Sequence, residues 1–397
     1  MSPSRSAPAS DHGPSFDAIV VGGGPAGAAA ALTLRKRPDV SVLVLEMSGY
    51  DAWRIGESLS PGVRPLLDYF DLWDAVRATQ PLDAFGSRAA WGAPEPTTLD
   101  FLFTVHGAGW SLDRLALDRL LVETARARGA VVETGARFLD CARVDGAWSV
   151  RVRAPDGTTR VVRGRVLLDA TGRRGRVARR LGAVRLTHDA LVGVARVGRL
   201  PAGRTMDAMV QVEAIADGWW YTAPIPDGRV STVLMTDADI ARRLDAMRTP
   251  RWEAALDATS ITRARLDGVV FDAPPRTFSA ISSQLRAAAG DGWVAIGDAA
   301  ASHDPLSSSG IPHALGSGTQ GALVAADMLF GEGRAGNAYQ QAVARDFAQY
   351  RRTHGQVYRS ETRWPDAPFW RRRQATVTID PHARIGAADA RVDCAAA

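Results

Sequence analysis

The segment FDAIVVGGGPAGAAAALTL constrains the fold more than any other stretch of the chain. An apolar run from Phe16 to Val21 reads as a strand, a glycine turn follows, and an alanine-rich stretch reads as a helix. A second run, VSVLVLE, reads as a strand ending at Glu46. The spacing Gly22-x-Gly24-x-x-Gly27 meets the dinucleotide-binding fingerprint in its strand–turn–helix setting, with Glu46 standing 19 residues beyond the last glycine. Each position has a physical role. Gly22 permits the tight turn, Gly24 lets the backbone approach a pyrophosphate, and Gly27 allows close helix–strand packing. The helix N-terminus attracts phosphate charge, and Glu46 is set to accept hydrogen bonds from ribose hydroxyls.

Two later segments have related form. LLDATG (residues 167–172) is a strand entering a turn at Asp169 and Gly172, and WVAIGDAA (residues 293–300) is a strand delivering Gly297 and Asp298 to a helix start. Asp298 reads either as a cofactor contact or as a helix cap. Three strand-to-glycine turns from remote parts of the chain suit one extended cofactor, and no second glycine-rich nucleotide motif of similar quality is present. These motifs resemble the FAD-dependent monooxygenases of the aromatic-hydroxylase fold, over roughly residues 16–373. The resemblance implies FAD, with Asp298 on the ribityl chain and the Asp169–Gly172 segment flanking the cofactor. A helix beginning near Ser309 and Gly310 would aim its positive end at the pyrimidine side of the isoalloxazine, which favours the reduced, anionic flavin.

The expected fold class is α/β. An FAD-binding, Rossmann-like three-layer domain is assembled from residues 15–85, 106–183 and 286–334. Runs such as LVGVARVG, MDAMVQVEA, WWYTAPI and VSTVLMT predict an inserted, mainly antiparallel β substrate domain over residues 184–285, joined by an excursion at 86–105. Residues 335–375 form a C-terminal helical segment, in which the aromatics of RWPDAPFWRRR pack onto the body. Residues 1–14 and 376–397 read as tails.

Composition narrows the function classes. A net charge of +5 and a pI of about 9.6 raise the question of nucleic acid, but the positive residues are dispersed. Their densest group (Arg173, Arg174, Arg176, Arg179, Arg180) falls where a short helix is expected and reads as solvated or partner-facing. The longest uncharged run, Ala18 to Leu34, is broken by four glycines and a proline, so no membrane span is expected. Cys141 and Cys394 are far apart and provide neither a disulfide framework nor metal-ligand spacing. Without an apolar leader at the start, a cytoplasmic location is expected.

The segments WRIGESL (residues 53–59), GWWYTAPIP (residues 218–226) and GDAAASHDPLSSSGI (residues 297–311) resemble one branch of that fold, the flavin-dependent halogenases and geranylgeranyl reductases. They are most similar to flavoproteins of the LodB type, which mature tryptophylquinone enzymes by oxygenating a tryptophan in a partner protein. That resemblance places Arg54, Glu57 and Ser58 close to the flavin, and Trp219, Pro224 and Pro226 in a strand beside it. Adjacent strand residues face opposite sides, so of Trp219 and Trp220 one faces the cofactor and the other packs elsewhere. Halogenases of this branch carry the activated halogen on a channel lysine. Of the 48 basic residues here only Lys36 is a lysine, at the end of the first helix, and a guanidinium is no free amine nucleophile.

Halogenation is therefore disfavoured, and oxygenation is the expected chemistry. Reduced flavin and dioxygen would form a C4a-hydroperoxide that hydroxylates an electron-rich ring, provided water is excluded. The substrate is an aromatic small molecule or a peptidyl tryptophan. The candidate catalytic residues are Trp219, Glu57 and His303, the last as a group titrating near neutrality. His303 reads equally well as a cap on the following helix, His313 reads as structural, and His106 as a possible pocket residue. Arg114, in LDRLALDRLL, matches an arginine of the family that approaches the flavin and its pyrophosphate, or else lies on the surface, and Asp113 reads as a first-turn acid. The electron donor is NAD(P)H or a separate flavin reductase. Rival readings are a prenyl reductase, which would need an apolar tunnel, and a non-catalytic flavin-binding partner.

Overall fold

The computed structural model describes residues 14–101 and 107–374. His106 and Cys394, the two expected tails except for Pro14, and part of the 86–105 excursion lie outside these residues. Strand β1 (Ser15–Val21) leads through the glycine turn into helix α1 (Pro25–Leu34) and on to strand β2 (Val42–Leu45), which lies parallel to β1. Helix α1 is built from alanine, glycine and leucine because it is buried on every side. Helix α2 (Arg114–Ala127) is capped by Asp113, whose Oδ1 accepts from the Leu115 amide at 2.8 Å. Strand β3 (Thr159–Asp169) then runs parallel to β1 on its other side, so that the turns after β1 and β3 open at the same edge of the sheet.

The inserted sheet is antiparallel at its centre. Strands β4 (Leu191–Arg199), β5 (Val210–Ile215), β6 (Gly218–Ile225) and β7 (Arg229–Asp237) pair in the spatial order β4-β7-β6-β5. Beyond β5 the strand Gly86–Ala90 joins in parallel, bringing the early excursion into this sheet. Alternation decides what each face carries. Trp219 and Tyr221 point one way, while Trp220 points the other way and packs edge-on against Trp252 with ring centroids 5.0 Å apart.

Strand β8 (Trp293–Ala295) returns the chain to the first sheet, parallel to β3. It feeds helix α3 (Gly310–Phe330), which packs along α1. The helices lie close because both present small residues, and a Cβ on Gly318 would overlap the Ala26 carbonyl oxygen. Helix α4 (Ala335–Arg359) and helix α5 (Pro368–Gln374) close the described chain. As expected, the terminal aromatics pack inward. Phe369 and Trp370 are fully buried, and the Trp370 indole donates to the Ile215 carbonyl at 2.8 Å. Arg372 and Arg373 pin α5 to the buried Asp237 at the end of β7, at 2.8 Å and 2.6 Å. Among the described residues no helix is long and apolar enough to cross a membrane.

Candidate active site

A cavity of about 420 Å³ runs between the two sheets. One end is floored by Gly24, Pro25 and Ala26 at the start of α1, and the other is walled by Trp219, Tyr221, Val233 and Met235 of the inserted sheet. Asp298, Gly310 and Ile311 supply the third side from the chain after β8.

The glycine turn has the geometry its spacing predicts. Gly22 has φ +110°, and a Cβ there would overlap the Ala170 carbonyl oxygen. A Cβ on Gly27 would overlap the Gly22 carbonyl oxygen, whereas one on Gly24 would meet nothing within 4 Å and would project into free space. Glu46 stands at the end of β2, where Oε2 accepts from the Gly23 amide at 2.7 Å and Oε1 from the Ser48 amide at 2.9 Å. An open, donor-rich floor beside an acid, continuing as a cavity to Asp298 and the amides at the start of α3, fits an extended dinucleotide such as FAD.

Several expected site residues stand elsewhere. Asp169 is fully buried, and its carboxylate is consumed by its own turn, accepting from the Thr171 amide at 2.9 Å and the Ala178 amide at 2.8 Å, so it organises the loop instead of facing the cavity. Gly172 beyond it does line the cavity. Arg54 does not reach the cavity wall. The buried Asp118 draws it to 2.7 Å, and its other nitrogen lies 3.4 Å from Glu46, at the far side of the glycine turn. Arg114 shares Asp118 at 2.8 Å but does line the cavity, as do Glu57 and Ser58. Gly297 is a close-packing position against α1, where a Cβ would come within 2.7 Å of the Ala26 Cβ. Ser309 caps α3 without a side-chain bond, and Ser308 and Gly310 face the cavity in its place. Pro224 and Pro226 are not part of the wall. The Pro224 carbonyl instead accepts from the Ser111 hydroxyl.

Of the adjacent tryptophans, Trp219 takes the cavity side. Its indole donates to the Tyr358 hydroxyl at 2.9 Å, and that hydroxyl donates to the Asp304 carboxylate at 2.8 Å, where His354 also binds at 3.0 Å. Glu57 is 1% exposed, and its Oε1 has no partner. Burial pushes its carboxyl above the usual range, against the weaker pull of backbone amides, Ser231 and Arg114. Burial, reinforced by Glu57, also holds the Tyr221 phenol well above its usual range, so it remains a hydrogen-bond donor.

His303 lies in the cavity but is not the near-neutral group expected. Its ring stacks on Tyr350 at 4.3 Å and sits 4.4 Å from His313, with Nε2 unpartnered. Burial, then His313, Arg173 and His354, depress its pKa to about 3, leaving a neutral imidazole. The cap on the 3₁₀ turn that follows is supplied by Asp304, whose Oδ1 accepts from the Leu306 amide at 2.8 Å. His313 is structural as expected, its Nε2 lying 3.2 Å from the Ala301 carbonyl. Arg173, grouped by sequence with solvated arginines, instead lines the cavity. It lies 3.3 Å from Asp298 and donates to the His303 carbonyl at 2.9 Å. The signal for it was its place immediately after the DATG turn, at the mouth of the cofactor edge.

Comparison with known proteins agrees with this geometry. The tryptophan halogenase family model matches residues 94–391, and an NAD(P)-binding Rossmann-like domain model matches residues 20–50. LodB of Marinomonas mediterranea, assigned as an FAD-dependent oxidoreductase, is 32% identical over 91% of this chain and 97% of its own length. A tryptophan 2-halogenase of Chondromyces crocatus is 27% identical over 90% of this chain and 70% of its own. Among solved structures, the peptidyl tryptophan dihydroxylase QhpG superposes with a TM-score of 0.75 at 26% identity, covering 94% of this chain and 82% of its own. The myxobacterial chondrochloren halogenase CndH shares the fold, with a TM-score of 0.84 at 24% identity over 93% of this chain and 88% of its own. The chain belongs to the tryptophan halogenase family and is an FAD-dependent oxidoreductase.

Proposed function

We propose that the protein is a monooxygenase that hydroxylates an electron-rich aromatic ring, with a tryptophan side chain in a partner polypeptide as the favoured substrate. The observation that carries this reading is the place of the only lysine. Lys36 donates to the Tyr69 carbonyl at 2.9 Å and lies over the Tyr69 ring, away from the cavity, so no amine is available to relay a halogen. The kinship with LodB and with QhpG, a peptidyl tryptophan dihydroxylase by name, supports the same reading.

The glycine turn at Gly22–Gly27, Glu46 and Asp298 would hold FAD, which when reduced and given dioxygen would supply the electrophilic oxygen. The chain's own part is to position and to seal. Trp219, Val233, Met235 and Phe278 give an apolar wall that keeps water from the reacting face. Glu57 brings a buried carboxyl with one unpartnered oxygen, whose protonated form burial favours, and Tyr221 holds a phenolic proton beside it as a hydrogen-bond donor toward an oxygen in the cavity. His303 keeps a neutral imidazole whose unpartnered Nε2 can meet a donor or an acceptor on the substrate, according to its tautomer.

The test is product analysis. The FAD-loaded protein, an electron source and oxygen are incubated with a tryptophan-containing peptide, and separately with free tryptophan, in the presence of bromide. Mass spectrometry showing added oxygen and no bromine supports the reading, and preference for the peptide supports the partner-bound substrate. Added bromine would overturn it in favour of halogenation.

A further inference from the structure

A second pocket, of about 430 Å³, opens on the face of the inserted sheet opposite the cavity. Its walls carry Arg88, Arg204 and Arg265, and Gln211 of β5 lies at its base. Gln211 is 2% exposed, yet its Nε2 has no hydrogen-bond partner. The Arg265 Nε is likewise buried and unpartnered. Both orphan atoms are N–H donors. A buried donor without an acceptor is costly, so a site that collects two of them suits something that supplies acceptors.

Nearby acids do not fill this role. Asp207 pairs through one oxygen with Arg265 at 2.8 Å and through the other with Arg88 at 3.3 Å, so two guanidinium groups share one carboxylate. Among the described residues Arg204 has only the Arg265 carbonyl at 3.3 Å, and Arg265 spends its second terminal nitrogen on the Asp207 and Met209 carbonyls. Glu213, two residues along β5, spends its oxygens on the Ser260 and Thr262 amides at 2.8 Å and 2.7 Å. The register extends the unmet demand inward. Gln211 stands opposite Thr222 of β6, which stands opposite Thr232 of β7, and both threonine hydroxyls are buried and unpartnered. Burial also depresses the Arg265 guanidinium below its usual range, a penalty that an anion would relieve.

We propose that this pocket binds a small carboxylate or phosphate anion, with the Gln211 amide and the Arg88, Arg204 and Arg265 guanidinium groups as its donors. Met206, Ile261 and Ala264 give the pocket an apolar side, so the anionic group belongs on a ligand with a hydrocarbon part. The site lies over β5 and the Gly86–Ala90 strand and shares no lining residue with the cofactor cavity.

The test is isothermal titration calorimetry on the FAD-loaded full chain, which keeps the cofactor's own phosphate site filled. Inorganic phosphate and malonate are titrated separately at constant ionic strength against the native protein, Gln211→Leu and Arg204→Ser. Saturable binding of phosphate or of malonate is expected, and the stronger of the two identifies the anion class. Each variant should weaken it about tenfold, near 1.4 kcal/mol, with flavin content unchanged. Heats that never saturate, or saturate equally in native protein and in Arg204→Ser, overturn the proposal. If circular dichroism shows that Gln211→Leu is misfolded, Arg204→Ser alone decides, since Arg204 lies at the rim.

Discussion

The Trp219 indole and the Tyr358 hydroxyl meet at 2.9 Å across 139 residues of sequence, joining the inserted sheet to helix α4. Both side chains are fully buried. The Tyr358 hydroxyl is acceptor for Trp219 and donor to Asp304 at once, so the bond ties the cavity wall to the loop that carries His303.

Tyr358→Phe strands the buried Trp219 indole N–H and removes one donor from Asp304, which keeps His354 and the Leu306 amide. It should destabilise the protein by about 1–3 kcal/mol, the usual cost of an unmet buried polar group, lowering the urea midpoint. Trp220→Phe leaves this network intact, because Trp220 faces the other side of β6. It should lower the urea midpoint without altering the pH or substrate dependence of turnover.

His303 has a sign that can be checked by titration. Its folded pKa of about 3 lies below the ordinary 6.5, so the unfolded chain takes up a proton that the folded chain refuses. Its contribution is therefore intact above about pH 6.5 and is lost as pH falls toward 3. His303→Asn should flatten the fall in urea midpoint across that window. An unchanged acid slope would remove the histidine from this account.

Glu57 has the opposite sign. Its carboxyl is raised, so its contribution is full below the ordinary carboxylate pKa and is lost as pH rises through the folded value. Glu57→Gln mimics the protonated form. It should retain FAD and keep most of the turnover, while Glu57→Asp, too short to reach the same contacts, should lose about tenfold or more, as expected for a misplaced donor. Turnover abolished by Gln but retained by Asp would mean that the carboxylate form acts.

The glycines separate folding from cofactor binding. Gly27→Ala forces a Cβ onto the Gly22 carbonyl and should yield unfolded or insoluble protein. Gly24→Ala meets no atom of the chain, so it should fold yet take up FAD about tenfold more weakly, because the methyl fills the approach to the floor. The ratio of flavin to protein absorbance in purified Gly24→Ala measures this directly.

What could be read from the sequence was what one short segment determines by itself. The turn at Gly22–Gly27, the acid at Glu46 and the opposed faces of Trp219 and Trp220 all follow from local spacing, whereas Asp113, read as a first-turn acid, stands one step earlier as the cap. What could not be read depends on elements meeting in space. Arg54 matched a flavin-proximal position, but the buried Asp118 on α2 claims it, and no local pattern reveals that Asp118 is buried. Asp169 looked like a cofactor ligand until the amide of Ala178, nine residues on, folded back onto it. His303 looked like a near-neutral base because its neighbours Tyr350 and His313 come from two separate helices.

Strand β6 separates two spaces, with Trp219 and Tyr221 facing one and Trp220 and Thr222 facing the other. Insertion or loss of a single residue ahead of Trp219 would turn the strand inside out, bringing Trp220 and Thr222 into the cavity and sending the present wall under the outer helices. Divergence within this strand is therefore restricted to exchange of side chains in place or to steps of two residues. New substrate preferences can evolve here by repainting the wall but not by sliding it.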